Sequence, residues 1–387
     1  MRILRDYLNK IRPNFEKGGK LHAFKSIYDG MDTFLYVPNA TSKSGTNIHD
    51  SIDSKRIMSM VVIALIPAML FGMYNIGYQN YKAADTLDTA SFVDLFLFGF
   101  FAVLPKIIVS YVVGLGIEFA WAQWKGEEIQ EGFLVSGILI PLIVPVNCPL
   151  WILAIAVAFA VVFAKEIFGG TGMNIFNVAL VARAFLFFSY PTEMSGDTVW
   201  VAKDSILGLG NSLPDTFTCA TPLGAIGSDS AAGYSLSDMI VGLIPGSIGE
   251  TSVIAIAIGA VILLWTGIAS WKVIAGVFVG GSITAALFGM SGMTPLPWYE
   301  HLVLGGFAFG AVFMATDPVT GARTETGKWI FGFIIGVLAI IIRVMNPGYP
   351  EGMMLAILFA NMFAPLIDYC VVERNISKRM KRLNSKK

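Results

Sequence analysis

From Ile57 onward the chain is a series of apolar blocks broken by short polar stretches, with one long polar interruption at residues 191–250. The blocks predict candidate spans at 57–77, 92–121, 133–146, 150–168 and 175–190 before the interruption, and at 252–270, 272–290, 301–316, 329–345 and 352–372 after it. A helix needs about 20 apolar residues to cross the hydrocarbon core, so 133–146 and 301–316 are too short to cross unaided. Each ends in irregular sequence, Pro141-Leu142-Ile143-Val144-Pro145 in the first half and Asp317-Pro318-Val319-Thr320-Gly321 in the second. The expectation is an all-α polytopic membrane protein of about ten transmembrane segments, arranged as two inverted five-segment repeats with broken or half helices. In transport proteins of that plan, polar sites lie near the midplane where half-helices meet.

Charge sets the organisation around these blocks. Residues 1–56 form a polar, basic arm, 57–190 the first repeat, 191–251 a loop, 252–372 the second repeat and 373–387 a basic tail. The tail carries Arg374, Lys378, Arg379, Lys381, Arg382, Lys386 and Lys387, which predicts that it faces the cytoplasm together with the basic arm. Five segments then precede the loop and put it outside. The loop holds Glu193, Asp197, Asp204, Asp215, Asp229, Asp238 and Glu250 against one base, Lys203, which agrees independently with that placement.

Composition narrows the class. Of 387 residues, 55% are hydrophobic and 14% charged, too few charges to cover a globule in water. The 27 basic residues balance the 27 acidic ones, so nothing points to nucleic acid. Cys148, Cys219 and Cys370 are far apart, as are His22, His49 and His301, which argues against a disulfide framework or a metal site built by this chain. The N-terminus, with Arg2, Arg5, Lys10 and Arg12, lacks the apolar core of a signal peptide.

Several polar residues in apolar context are candidates for chemistry. Gly169-Gly170-Thr171-Gly172-Met173-Asn174-Ile175-Phe176-Asn177 places glycines before an apolar helix, a backbone concavity suited to a polar ligand. Asn174 and Asn177 are one turn apart, so their amides would share a helix face; the bland alternative is a re-entrant turn whose amides satisfy loose backbone groups. Glu118 and Asp368 lie within apolar runs, where a carboxylate usually faces a cavity or an ion path, and oxygen ligands suit a hard cation such as Na⁺. Interfacial placement beside Trp121 and Arg374 is the alternative for these two, and an Asx turn before Pro318 is the alternative for Asp317. Lys165-Glu166 is most simply an ion pair, and Arg183 meets either a backbone carbonyl or a ligand. Thr221 alone is a loop hydroxyl with no identifiable base nearby, and no residue stands out as an acid–base catalyst.

A wider pattern surrounds these positions. Asp215 with Thr218-Cys219-Ala220-Thr221, Gly169 to Asn174, Ala184-Phe185-Leu186-Phe187-Phe188, Ile244-Pro245-Gly246-Ser247-Ile248-Gly249-Glu250, Met314-Ala315-Thr316-Asp317-Pro318 and Tyr349-Pro350-Glu351-Gly352-Met353-Met354 together resemble the B subunit of Na⁺-translocating NADH:quinone reductases (Nqr) across almost the whole chain. The D subunit of Rnf ferredoxin:NAD⁺ complexes shares the core but typically lacks an arm like residues 1–56. The resemblance implies a subunit of an enzyme that oxidises NADH and reduces ubiquinone while exporting Na⁺, in a six-subunit complex (partners A, C, D, E and F) of the bacterial inner membrane with the loop periplasmic.

The same resemblance implies roles residue by residue. Thr221 is the position esterified to FMN by a separate flavin transferase, with Asp215 and Thr218 in its motif. Asn174 and Asn177 line a non-covalent riboflavin site that Ser136 adjoins. Gly114 and Leu115 border the ubiquinone site. Acidic positions tied to sodium fall on Asp29, Glu118 and Asp368, and Asp317 joins them on its own context. Three positions depart from the usual pattern: Cys219 replaces a glycine in Ser-Gly-Ala-Thr, Leu115 replaces the second glycine of a pair, and Asp29 stands for a glutamate. A solute channel of the urea or ammonium type is the alternative that the inverted-repeat outline supports, and it needs no modified threonine. Moving one charge against ~150 mV costs about 3.5 kcal/mol, and a drop of roughly 75 mV in a two-electron couple supplies it. Coupling therefore demands a two-state element rather than a large redox span, and the broken segments near 133–146 and 301–316 are the candidates.

Overall fold

A computed structural model describes residues 2–384 apart from 17–18, 20, 22–23, 37–53, 127–131, 215, 226–233, 347 and 349–350. Among the described residues the protein is all-α: an isolated bridge between Ile206 and Leu209 is the sole strand-like pairing. Five helices are long and apolar enough to cross a membrane: α3 (Ser54–Ala83), α4 (Phe92–Lys125), α11 (Trp271–Met290), α14 (Glu325–Met345) and α15 (Met353–Asn384). The arm contributes α1 (Arg2–Ile11) and α2 (Lys25–Leu35), joined where Tyr28 donates to the Leu8 carbonyl and stacks on Phe15. For reference, the bundle has an arm end, where α3 begins, and a loop end, where α3 finishes.

The remaining predicted spans are short or broken, each for a local reason. The segment 133–146 is helical only over α5 (Phe133–Leu142); Pro141, Pro145 and Pro149 remove donors, so the chain runs on without helix. That stretch is held from outside, with Lys106 Nζ donating to the Val146 carbonyl at 2.7 Å and Asn147 Nδ2 to the Val201 carbonyl at 2.7 Å. The segment 150–168 forms α6 (Leu150–Ala160) and then widens into a π-helical turn, Val161–Glu166. The segment 175–190 starts late, as α7 (Val178–Ser189), because the Asn177 side-chain oxygen accepts from Ala179 N and Leu180 N and caps it. Short α8 (Pro191–Met194) and α9 (Leu236–Val241) lie in the long loop. α10 (Val253–Trp265) has thirteen residues. The segment 301–316 becomes α12 (Glu300–Val303), α13 (Phe307–Phe309) and a second π-helical turn, Gly310–Met314.

Glycine allows the closest helix pair. α11 and α14 meet along Gly276 and Gly280 on one helix and Gly332 and Gly336 on the other, and a Cβ at Gly280 would stand 2.5 Å from the Phe333 carbonyl oxygen. Small residues four apart let backbones approach where lipid offers no competing hydrophobic drive. The long loop is tied to the loop end of α3: Asn80 Nδ2 donates to the carbonyls of Ala202 and Asn211, and Asn75 Nδ2 to that of Ile244, each at 2.9 Å. Residues 244–251 then turn back onto the end of α5, where Gly249 N donates at 2.7 Å to the Leu142 carbonyl freed at the helix terminus.

Candidate functional site

Two cavities flank the packed centre, one toward each end of α3. The loop-end cavity has a volume of ≈ 260 Å³ and is walled by Phe187, Trp200, Thr221–Gly224, Ile244–Ser247, Thr251, Leu304 and Gly305, with Arg183, Glu250 and Glu351 at its charged side. The arm-end cavity, ≈ 90 Å³, is walled by Ile57, Met58, Val61, Ser136, Lys165, Thr171, Asn174, Asn177 and Asp317. Val61 lines the arm-end cavity and Asn75 anchors the rim of the other through Ile244. Fourteen residues of α3 separate them, about 21 Å at 1.5 Å per residue.

Buried charge shapes the loop-end cavity. Arg183 projects from α7 and donates to Glu250 at 2.7 Å, to Glu351 and to Ser247 Oγ at 3.4 Å. Glycine at 306 leaves room for the Glu250 carboxylate, since a Cβ there would lie 2.7 Å from Glu250 Oε1. Burial pushes the Glu250 carboxyl up to about 7, with Arg183 pulling it down and Glu351 pushing it up. A second arginine, Arg343, donates to the carbonyls of His301, Leu304 and Glu351 and so fixes the opposite wall. Thr251 places a buried hydroxyl on this cavity with no protein partner among the described residues.

Thr221 is half-buried at the same cavity, its Oγ1 accepting from Gly224 N at 3.0 Å while its carbonyl accepts from Ala225 N. Cys219, the departure from the usual glycine, lies 3.9 Å from the Tyr234 hydroxyl and is not among the cavity walls, so the added side chain leaves the approach to Thr221 open. Burial raises the Cys219 thiol, with Tyr234 and Lys82 lowering it. Thr218 is exposed and off the cavity, and Asp215 lies outside the described residues.

The arm-end cavity brings Asn174, Asn177, Ser136 and Asp317 together, although not as a shared helix face. α7 begins only after Asn177, and Gly169, Gly170 and Gly172 hold positive φ, so Asn174 sits in a loop where its oxygen accepts from Gly172 N and its amide donates to the Phe176 carbonyl. Asn177 spends its oxygen as the cap and reaches Asp317 only at 3.4 Å. Asp317 makes the Asx turn, accepting from Val319 N and from Thr320 Oγ1, each at 3.0 Å.

The other acidic candidates separate. Glu118 is 4% exposed and pairs with Lys165, so Lys165 does not pair with its neighbour Glu166 as its spacing had suggested. The second Glu118 oxygen has no protein partner among the described residues. Asp368 anchors α14, accepting from Arg323 N, Thr324 N and Thr324 Oγ1 at 2.6–3.0 Å. The side chain of Asp29, on α2, lies outside the described residues. Gly114 packs flat on Phe133, whose ring occupies the space a Cβ would need, and Leu115 beside it is half-buried. Sequence reasoning missed the pairing of Arg183 with Glu250 and Glu351, because the partners are 67 and 168 residues away. Their signal was present in two conspicuous segments, Ile244 to Glu250 and Tyr349 to Met354.

The chemistry of the two cavities can be set against the flavins that the pattern implies. The loop-end cavity fits: the Thr221 hydroxyl, which accepts from Gly224 N and keeps its own proton to donate, and the Thr251 hydroxyl, without a protein partner among the described residues, suit a phosphate and a polar ring edge, in a volume near the lower bound for ligand pockets. The arm-end cavity carries suitable amides but is far below that bound, so a riboflavin does not fit it as it stands.

The sequence profile of the NQR2, RnfD, RnfE family matches residues 41–377. The B subunit of the Na(+)-translocating NADH-quinone reductase of Chromohalobacter salexigens is 46% identical over 98% of this chain and 96% of its own. Proteins of the same name from Azotobacter vinelandii and Pseudomonas aeruginosa are 45% and 44% identical, each over 98% of this chain and 99% of their own.

Proposed function

The chain belongs to the NQR2, RnfD, RnfE family, and from that premise we propose that it is the flavin-bearing membrane subunit of a Na⁺-exporting NADH:quinone reductase. The observation that carries the reading is the loop-end cavity, where the Thr221 hydroxyl stands among Arg183, Ser247 and Thr251. FMN joined there through its phosphate, by a separate flavin transferase, supplies redox chemistry between NADH-derived electrons and ubiquinone. The chain's own residues do the rest. Arg183, held by Glu250 and Glu351, keeps those carboxylates off the ligand, Thr251 offers a hydrogen bond, and Trp200 and Phe187 exclude water from an aromatic ring.

The topology is part of the proposal: ten crossings as two inverted repeats, both termini in the cytoplasm, and the Thr221 loop in the periplasm of a bacterial inner membrane. The basic end of α15 and the acidic loop support it. Riboflavin, assigned to Asn174, Asn177 and Ser136, needs an enlarged arm-end cavity. Glu118, whose second oxygen has no protein partner among the described residues, is the better placed sodium ligand, since Asp317 is committed to its Asx turn and Asp368 to holding α14. The partners are the other five subunits. The B-subunit relatives, aligned over 98% of the chain, favour this assignment over an Rnf D subunit.

In-gel flavin fluorescence and intact mass on the purified wild-type complex and on Thr221→Ala provide the test. Wild type is expected to carry an adduct on this chain that the variant lacks. A wild-type chain without a covalent flavin overturns the reading.

A further inference from the structure

The last turns of α15 stand clear of the bundle. The helix is unbroken from Met353 to Asn384, and every residue from Val372 to Asn384 is exposed. Its stretch from Met353 to Val372 covers about 30 Å, the depth of a hydrocarbon core. Asp368, near the end of that stretch, is held to the start of α14 through Arg323 N and Thr324 N, so the turns after Val372 project beyond the arm end. They are strongly basic, with Arg374, Lys378, Arg379, Lys381 and Arg382 against one acid, Glu373.

This projecting part nevertheless keeps an apolar stripe. Val372, Ile376, Met380 and Leu383 are 46%, 48%, 54% and 60% exposed. At about 100° per residue they fall within about 80° of the helix circumference, with the bases on the opposite side and along one flank. A contiguous apolar face, unlike a scattered exposed leucine, marks a contact surface.

Lipid does not reach most of it. The headgroup layer extends roughly 5–7 Å past the hydrocarbon on each side. Ile376, Met380 and Leu383 lie about 6, 12 and 16 Å past Val372 along the axis. An amphipathic helix binds a membrane surface by lying in its plane, which the straight continuation of a crossing helix does not do. Pro365, the proline inside α15, precedes Asp368 and supplies no bend at the interface. A second copy of the same helix would bring like charges together.

We propose that the end of α15 docks into a partner protein that offers an apolar groove rimmed by carboxylates. Ile376, Met380 and Leu383 enter the groove at helical spacing, the mode by which amphipathic helices are commonly recognised. Arg374, Lys378, Arg379 and Lys381 meet the acidic rim, which sets orientation and speeds encounter. Nothing in this assignment depends on a flavin at Thr221.

Photocross-linking in native membranes that hold the whole complex tests it. The photoreactive residue p-benzoylphenylalanine replaces Met380 on the stripe or, as a control, Lys381 on the basic side. The Met380 position is expected to give one discrete protein adduct, whose linked peptide carries Asp or Glu beside apolar residues, at a yield at least about fivefold above the control. Ile376→Ser/Leu383→Ser, which removes the stripe and leaves every charge, is expected to lower that yield at least about fivefold at an unchanged level of the chain in the membrane. Raising NaCl from about 0.1 M to about 0.5 M is expected to lower it as well, because exposed charges are screened. If the double variant does not accumulate, the salt series decides. Adducts on phospholipid, on a second copy of this chain or on a peptide without carboxylates overturn the site. So do equal yields from the two positions, no adduct at Met380, or a yield that neither the double variant nor salt reduces.

Discussion

Replacing Arg183 by leucine removes the one guanidinium that bridges Glu250 and Glu351. At 2.7 Å and an effective dielectric near 20, the Arg183–Glu250 attraction alone is about 6 kcal/mol before desolvation is subtracted. Breaking a buried pair by deleting one partner costs about 3–5 kcal/mol, because the other charge stays buried and uncompensated. At about 2.1 cal/mol/K per residue, unfolding a 387-residue chain carries an entropy near 0.8 kcal/mol/K, so the loss corresponds to a Tm lower by about 4–6 °C. The sign with pH follows from the carboxyl. Burial raises Glu250 from its ordinary range to about 7, so the folded state holds its proton more tightly than the unfolded one. Ionisation therefore costs stability as pH rises through 7 and costs nothing below about 4.5, where both states are protonated. Without Arg183 the folded carboxyl rises further, and the deficit is larger at pH 8 than at pH 5. Differential scanning fluorimetry of the detergent-solubilised complex at both pH values measures this, with Arg183→Leu/Glu250→Gln as the rescue. An equal deficit at pH 5 and pH 8, or a double variant no more stable than Arg183→Leu, would refute the account.

Two further outcomes are expected beside the flavin and cross-linking tests above. Gly280→Leu forces a side chain into the Phe333 backbone and separates α11 from α14, which costs at least about 1–3 kcal/mol and is read as faster proteolysis of the α11–α14 region. Because its thiol is raised by burial, Cys219 holds less thiolate than a free cysteine at pH 8, so alkylation by a charged maleimide is slower than for cysteine in a short peptide and continues to accelerate at pH values where the peptide's rate has levelled off; a rate equal to the peptide's would contradict the burial.

The apolar blocks in the sequence located every long helix, because a 20-residue apolar run has few alternatives in lipid. Short or broken segments were also legible at Pro141 and Asp317, where proline and the Asx turn interrupt the ladder. Within the sites, one-dimensional spacing failed wherever a side chain made its own backbone contact. Asn177 became a cap, so the helical register that would have aligned it with Asn174 does not exist there. Lys165 reached Glu118 across the bundle in preference to its neighbour, since adjacent residues on a helix do not face each other. The two π turns, and the pairing of Arg183 with partners from distant loops, have no periodic signature and depend on tertiary contacts.

The helix α3 is tied to both cavities, with Met58 and Val61 in one wall and Asn75 holding Ile244, a wall residue of the other. Pro67 sits between them, where the helix gives up one backbone hydrogen bond. A shift of α3 along or about its axis therefore alters the two chambers in the same instant, as a rocker does its two ends. Changes at one end are constrained by what the other tolerates, and residues near Pro67 that touch neither ligand become the place where the balance between the ends is set.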